Sequence, residues 1–194
     1  MFLDIVKHSR SYRGYDSSYL FTKEMLLSYV DCARYAPSSV NAQPFRYYLV
    51  WEQDEVATLQ TATGWARALP ELTLPHEGKC PTAFIVICQD MNLGDSLPRY
   101  QKDVGIVAQT MLLAAASEGL GGCMIGNYNA KTVKEMLSLP EQLSPVLIVA
   151  FGKPDEAIEI VEVDEGANIA YYRDENDVHY VPKRKLEDIV LTKD

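Results

Sequence analysis

The stretch from Tyr100 to Glu118 limits the fold more than any other part of the chain. Its apolar residues Val104, Ile106, Val107, Ala108, Met111, Leu112, Leu113, Ala115 and Ala116 surround a helix instead of lining one face of it. A helix of this kind needs cover on every side. The whole chain has 194 residues, about the size of one large domain, which leaves little room to enclose so long a helix. A second copy of the chain is therefore expected to cover one side, predicting a homodimer.

The remaining segments read as short alternating elements. A helix is expected over Phe2 to Lys7, and another over Lys23 to Tyr35, capped by Thr22 and stopped by Pro37. Asp54 is placed to cap a helix through Ala62, and Asn129 one near Lys131 to Leu137. The aromatic and β-branched runs Arg46–Trp51 and Ala83–Cys88, together with Val146–Phe151 and the short Cys123–Ile125, read as strands. This order lacks regular β-α-β alternation, so the expectation is a single α+β domain over residues 1–194. No strand is followed by G-x-G-x-x-G and no G-x-x-x-x-G-K-[ST] occurs, so a nucleotide would have to be held by other means.

Charge and cysteine usage exclude several function classes. The net charge is −9, and the span from Asp155 to Asp177 carries nine acids against Arg173 alone, leaving the rest nearly neutral. Such a balance has no basic footprint for nucleic acid or an anionic membrane, and the acidic span is expected to serve solubility. Cys32, Cys80, Cys88 and Cys123 show no C-x-x-C spacing and His8, His76 and His179 lie far apart, so no metal is expected. The N-terminus lacks the apolar core of a signal peptide and Ile106–Ala116 is too short for a membrane span, which points to the cytoplasm.

Four segments could carry chemistry. Arg10, Ser11 and Arg13 place two guanidinium groups and a hydroxyl beside a helix end, a donor set suited to phosphate. Two arginines in a loop are, taken alone, more often surface charges. The loop Pro37-Ser38-Ser39-Val40-Asn41-Ala42-Gln43-Pro44 offers donors and acceptors suited to a heteroaromatic edge, or a capped turn. The run from Gly119 through Gly126 to Asn127 could bring bare backbone close to a planar ligand, or simply let the chain leave a helix. Lys183 and Arg184 belong to a basic cluster that could equally be solvated.

Taken together, SRSYR, PSSVNAQP, AQTMLLAAASEGLGGC, FGKP and VPKR resemble, in order and separation, the motifs of the nitroreductase family of FMN-dependent oxidoreductases. The resemblance spans nearly the whole chain. It implies a central, mostly antiparallel sheet flanked by helices, in an intertwined homodimer built around a long buried helix. It also implies that Arg10, Ser11 and Arg13, joined by Lys183 and Arg184, hold the FMN phosphate and ribityl chain. Pro37, Ser38, Ser39 and Asn41, with Gln43 nearby, would complete the site from the partner subunit, while the backbone of Gly126 and Asn127 would face the reactive edge of the ring.

The activity so implied is a ping-pong cycle. NADH or NADPH reduces the flavin, which then reduces a small electron-poor acceptor such as a nitroaromatic or quinone, with no side chain required as acid or base. A flavin-binding protein without turnover, or a dehydrogenase or dehalogenase on the same scaffold, are the alternatives. Two departures stand out: Ser9 replaces the family's leading arginine, and Trp65–Lys79 is short where larger members carry helices over the active site.

Overall fold

The run AFIVIC, continued by Gln89 and Asp90, forms a strand (β2, Ala83–Asp90) buried along its entire length. A strand without polar alternation must be covered on both faces, and this one forms the middle of the molecule. The computed structural model describes residues 1–94 and 96–192. On one side β2 pairs with β1 (Phe45–Val50) and on the other with β4 (Leu143–Gly152), which in turn pairs with β3 (Gly121–Ile125). The sheet order is β1-β2-β4-β3 and every pairing is antiparallel.

Alternation along the strands sends side chains to two cores. Ile85, Ile87, Val149 and Phe151 meet Leu26 and Tyr29 of α2 (Lys23–Ala33) and Ala108, Met111 and Ala115 of α4 (Gln101–Ser117). Phe84, Val86, Ile148 and Ala150 meet Val56 and Leu59 of α3 (Gln53–Gln60) and Val133 of α5 (Ala130–Met136). The domain is thus a helix–sheet–helix sandwich, and the α+β expectation is met. A short first helix, α1 (Phe2–His8), lies against α4 without burying any of its own residues.

Local signals fared unevenly. The side chain of Thr22 accepts a bond from the Met25 amide at 3.4 Å, and that of Asn129 from the Thr132 amide at 3.0 Å, as expected of N-caps. Asp54 does not cap its helix. That helix starts at Gln53 behind Glu52, leaving Asp54 and Glu55 in the first turn, where the helix dipole favours acids. The second helix ends at Ala33 rather than Tyr35.

Within one chain α4 is not enclosed. Lys102, Gly105 and Ile106 are exposed and Gln109, Thr110 and Leu113 only half-buried, forming one stripe along the helix, with Ile106 at 40% exposure. Nearby exposed apolar residues include Phe2 and Leu3. Among the described residues no helix is long and apolar enough to cross a membrane.

The acidic span is more than a solvated tail. It folds with the C-terminal segment into a second sheet, in which β5 (Ile158–Val163) runs parallel to β7 (His179–Arg184) and β6 (Tyr172–Arg173) pairs antiparallel with β7. Glu156 and Arg173 form an ion pair whose side chains are only 4% and 3% exposed. A count of charges could not separate this one interior carboxylate from its solvated neighbours.

Candidate functional site

The site is organised by the open edge of β3. Ser11 bridges to Gly122, and the Tyr12 amide donates to the Gly122 carbonyl at 3.1 Å, so the N-terminal run adds itself to this strand. Glycine is required here by packing. A Cβ on Gly122 would collide with the Ala150 carbonyl, and one on Gly121 with the Tyr12 ring. Two of the run's four glycines, Gly121 and Gly122, therefore serve close approach between protein segments, while Gly119, at φ 76°, lets the chain leave α4. Gly126 differs: it is exposed, with open space around its Cα. Asn127 beside it is held by its carbonyl, which accepts the Gly64 amide at 2.7 Å. Gly126 lies four steps of extended chain beyond Gly122, about 13 Å.

At the Ser11 end lies a pocket of about 300 Å3 lined by Arg10, Ser11, Arg13, Gln109, His179 and Lys183, among others. The two ends of the chain meet here. Arg10 spends Nη2 on the Val6 carbonyl at 3.0 Å, while its buried Nε has no partner among the described residues. Arg13 is 9% exposed. Its Nη1 donates to the Ser11 carbonyl at 3.1 Å and lies 3.3 Å from His179 Nε2, and its guanidinium sits 4.9 Å from the centre of the Tyr171 ring. The Arg13 amide donates to Glu156, the same carboxylate that pairs with Arg173.

His179 is 2% exposed. Burial, reinforced by the neighbouring Arg13 and Arg173 charges, lowers its pKa to about 4, so the ring is neutral near pH 7. An arginine can only donate, so His179 Nε2 accepts and Nδ1 carries the proton. That Nδ1 is buried without a partner among the described residues.

Strand alternation decides the fate of the C-terminal basic residues. Lys183 lines the pocket, whereas Arg184, next along β7, is exposed and lies outside its lining. Lys185 pairs with Asp164 at 2.5 Å. Ser9, where the family's leading arginine is expected, is instead tied to α4 by a bond from Gln109 Nε2 at 3.3 Å.

The polar loop lies elsewhere. Pro37, Ser38 and Gln43 line a cleft of about 230 Å3 between the end of α2, the start of β1 and the first turns of α4. Asp103, a buried residue that sequence reading passed over, anchors it by accepting from Ser38 Oγ at 2.9 Å and from the Ser39 amide at 2.7 Å. An acid in the first turn of a helix is ordinary, which concealed its role. Gln43 Nε2 donates to Asn41 Oδ1 at 3.0 Å. Val40, Asn41 and Gln43 all have positive φ (48°, 54° and 47°), a strained setting for a β-branched valine. A single chain does not bring Pro37, Ser38, Ser39, Asn41 or Gln43 into the pocket of Arg10 and Lys183.

The donor set of that pocket fits a phosphate. Arg10 Nε, the Ser11 hydroxyl, the Lys183 ammonium and His179 Nδ1–H can all donate, and two of the four are buried with no bond made.

Comparison with known proteins identifies the family. The profile of the nitroreductase family matches residues 6–153. A protein of Archaeoglobus fulgidus, provisionally named NADH dehydrogenase/NAD(P)H nitroreductase, is 25% identical over 86% of this chain and 92% of its own. The NADPH-flavin oxidoreductase of Vibrio harveyi is 45% identical over 60 residues, which is 30% of this chain and 25% of its own. Among solved structures, a nitroreductase family protein of Clostridium difficile is 26% identical, with a TM-score of 0.64 over 80% of this chain and 86% of its own. The nitroreductase family protein of Streptococcus pneumoniae superposes over 100% of both chains with a TM-score of 0.69 at 16% identity, a likeness of fold. The chain belongs to the nitroreductase family and is an oxidoreductase.

Proposed function

We propose that this oxidoreductase binds FMN, takes electrons from NADH or NADPH, and passes them to small electron-poor acceptors such as nitroaromatics or quinones. The observation that carries the reading is the convergence of Arg10 and Ser11 with Lys183, from opposite ends of the chain, around one pocket whose buried donors lack an acceptor. FMN, when bound, supplies the two-electron chemistry. Arg10, Ser11 and Lys183 hold its phosphate, with Arg13 packed behind them. Arg184, on the other side of β7, stays outside the clamp. Gly126 and Asn127 lie at the far end of the β3 edge and offer backbone, not side chains, to the reactive ring.

The working unit is a homodimer. The exposed stripe of α4 and the apolar residues of α1 supply a surface for a second copy, which brings Pro37, Ser38, Ser39, Asn41 and Gln43 to the flavin of its partner. The relatives' names support a flavin and a nicotinamide donor.

The test is direct. Purified protein should be yellow, bleach with NADH or NADPH in the absence of air, and recover its colour when a nitroaromatic or quinone is added. Protein that takes up no FMN, or bound FMN that neither nicotinamide reduces, contradicts the reading. Sedimentation should give twice the chain mass; a stable monomer that retains FMN contradicts the shared site.

A further inference from the structure

We propose that His179 is itself a ligand of the phosphate, a neutral hydrogen-bond donor held in one tautomer by Arg13, and that it thereby helps the protein distinguish FMN from unphosphorylated riboflavin. The inference rests on the flavin reading above and assigns new roles within that pocket. Three observations carry it. His179 lines the pocket together with Arg10 and Ser11, on the same face of β7 as Lys183 and separated from it by Val181. Its Nε2 faces Arg13 Nη1 at 3.3 Å, a group that can only donate, which leaves the proton on Nδ1. That N–H is buried and has no partner among the described residues, and the same is true of Arg10 Nε.

Most buried side-chain nitrogens have a partner, so an open one that lines a pocket is a candidate for a ligand. Here one is satisfied and one is left open, and the ring has little freedom to turn. Tyr171 packs on it with centroids 5.2 Å apart, and the His179 amide is fixed to the Ala157 carbonyl at 2.9 Å. Arg13 is in turn fixed by Ser11, Tyr171 and the Glu156 carboxylate that its amide shares with Arg173. Arg13 therefore acts through His179 as a positioning residue, while Arg10, Ser11, Lys183 and His179 meet the anion. A phosphate oxygen accepting from Nδ1–H completes the bonding of the ring without adding a further charge to a site already rich in arginine.

The experiment compares FMN with riboflavin, which share the ring and ribityl chain and differ only in the phosphate. Wild-type protein should bind FMN far more tightly. His179→Phe keeps the ring packing against Tyr171 and removes the donor; it should weaken FMN roughly ten-fold or more and leave riboflavin unchanged. His179→Asn, whose amide can again donate near the Nδ1 position, should recover part of the loss. On the unaltered, FMN-loaded protein, nitrogen-15 NMR of the side chains should show His179 protonated at Nδ1 alone, and with only three histidines in the chain the signal can be assigned.

Equal losses for FMN and riboflavin in His179→Phe would make the residue purely structural, and an unchanged FMN affinity or a proton on Nε2 would also overturn the assignment, all with FMN binding by the wild type intact. Wild-type protein that takes up neither flavin would instead overturn the underlying reading, and this inference with it.

Discussion

The pocket of Arg10 and Lys183 and the loop of Ser38 and Asn41 are both polar, yet they are built in opposite ways. In the pocket, side chains from the two ends of the chain converge, Arg13 and His179 are buried, and the buried groups left unpaired among the described residues, Arg10 Nε and His179 Nδ1, are donors. In the loop, polar groups pair with each other and with Asp103, the tips are exposed, and three of the four positions from 40 to 43 have positive φ. On the proposed reading, one chain builds the phosphate end of the site by itself and presents the loop to its partner. A backbone with three positive φ values and an exposed Val40 at its tip, 77% accessible, suits that role.

The contrast can be attacked from its strongest point downwards. Glu156→Ala should do the most damage, because it leaves the buried Arg173 and the Arg13 amide without their shared acceptor. Breaking one side of a buried pair costs about 3–5 kcal/mol. Denaturant unfolding should register that loss, and an unchanged midpoint would mean that the pair is not interior in solution. Arg10→Ala should come next, weakening FMN by about 1.5–3 kcal/mol, or roughly ten- to hundred-fold, with little effect on unfolding. Equal loss of riboflavin affinity would move Arg10 away from the phosphate.

Asp103→Ala tests the presented half. It frees Ser38 Oγ and the Ser39 amide, and should cost about 1–3 kcal/mol of stability while loosening the loop. If the loop serves the partner, flavin retention falls in the dimer although no residue of the Arg10 pocket has changed. The smallest effect is one of pH. The neutral ring of His179 is favoured in the folded state, since its pKa is lowered from 6.5 to about 4. The unfolded chain therefore takes up the proton first, and stability should decline as the pH falls from 6.5 towards 4. The groups around the ring include Arg13, Arg173 and Asp177, and the nearby Glu156 carboxyl is pushed upward by burial, giving an opposing trend. Comparing unfolding of wild type and His179→Phe at each pH isolates the histidine; parallel profiles would show that it titrates normally.

Much of this was legible in the residues. Uninterrupted apolar runs announced β2 and β4, and the polar residues Thr22 and Asn129 announced helix starts, because those signals are local. The expectation that α4 is buried on all sides is not met within one chain: one face is buried, and Lys102, Gly105, Ile106, Gln109 and Thr110 form an open stripe that the apolar count had masked. The second sheet was obscured differently. Ile158-Glu159-Ile160 carries the alternation of a strand, but its acids were counted as charge before they were read as a pattern. Glu156, Asp103 and His179 were given no site role because each is ordinary in its local setting, and their contacts to Arg13 and Ser38 span more than sixty positions.

The pairing of β7 with β5 and β6 has a thermodynamic consequence. Lys183 and His179 reach the pocket only while this small sheet is folded, and one of its three strands is two residues long. If FMN binds as proposed, its phosphate between Ser11 and Lys183 would act as a reversible staple across nearly the full length of the chain, adding to the Glu156 contacts that already join Arg13 to Arg173. Cofactor concentration would then raise the opening free energy of the C-terminal sheet by mass action. Hydrogen exchange in β5 to β7 should slow as FMN is added, while the amides of β2, deep in the sandwich, should scarcely respond.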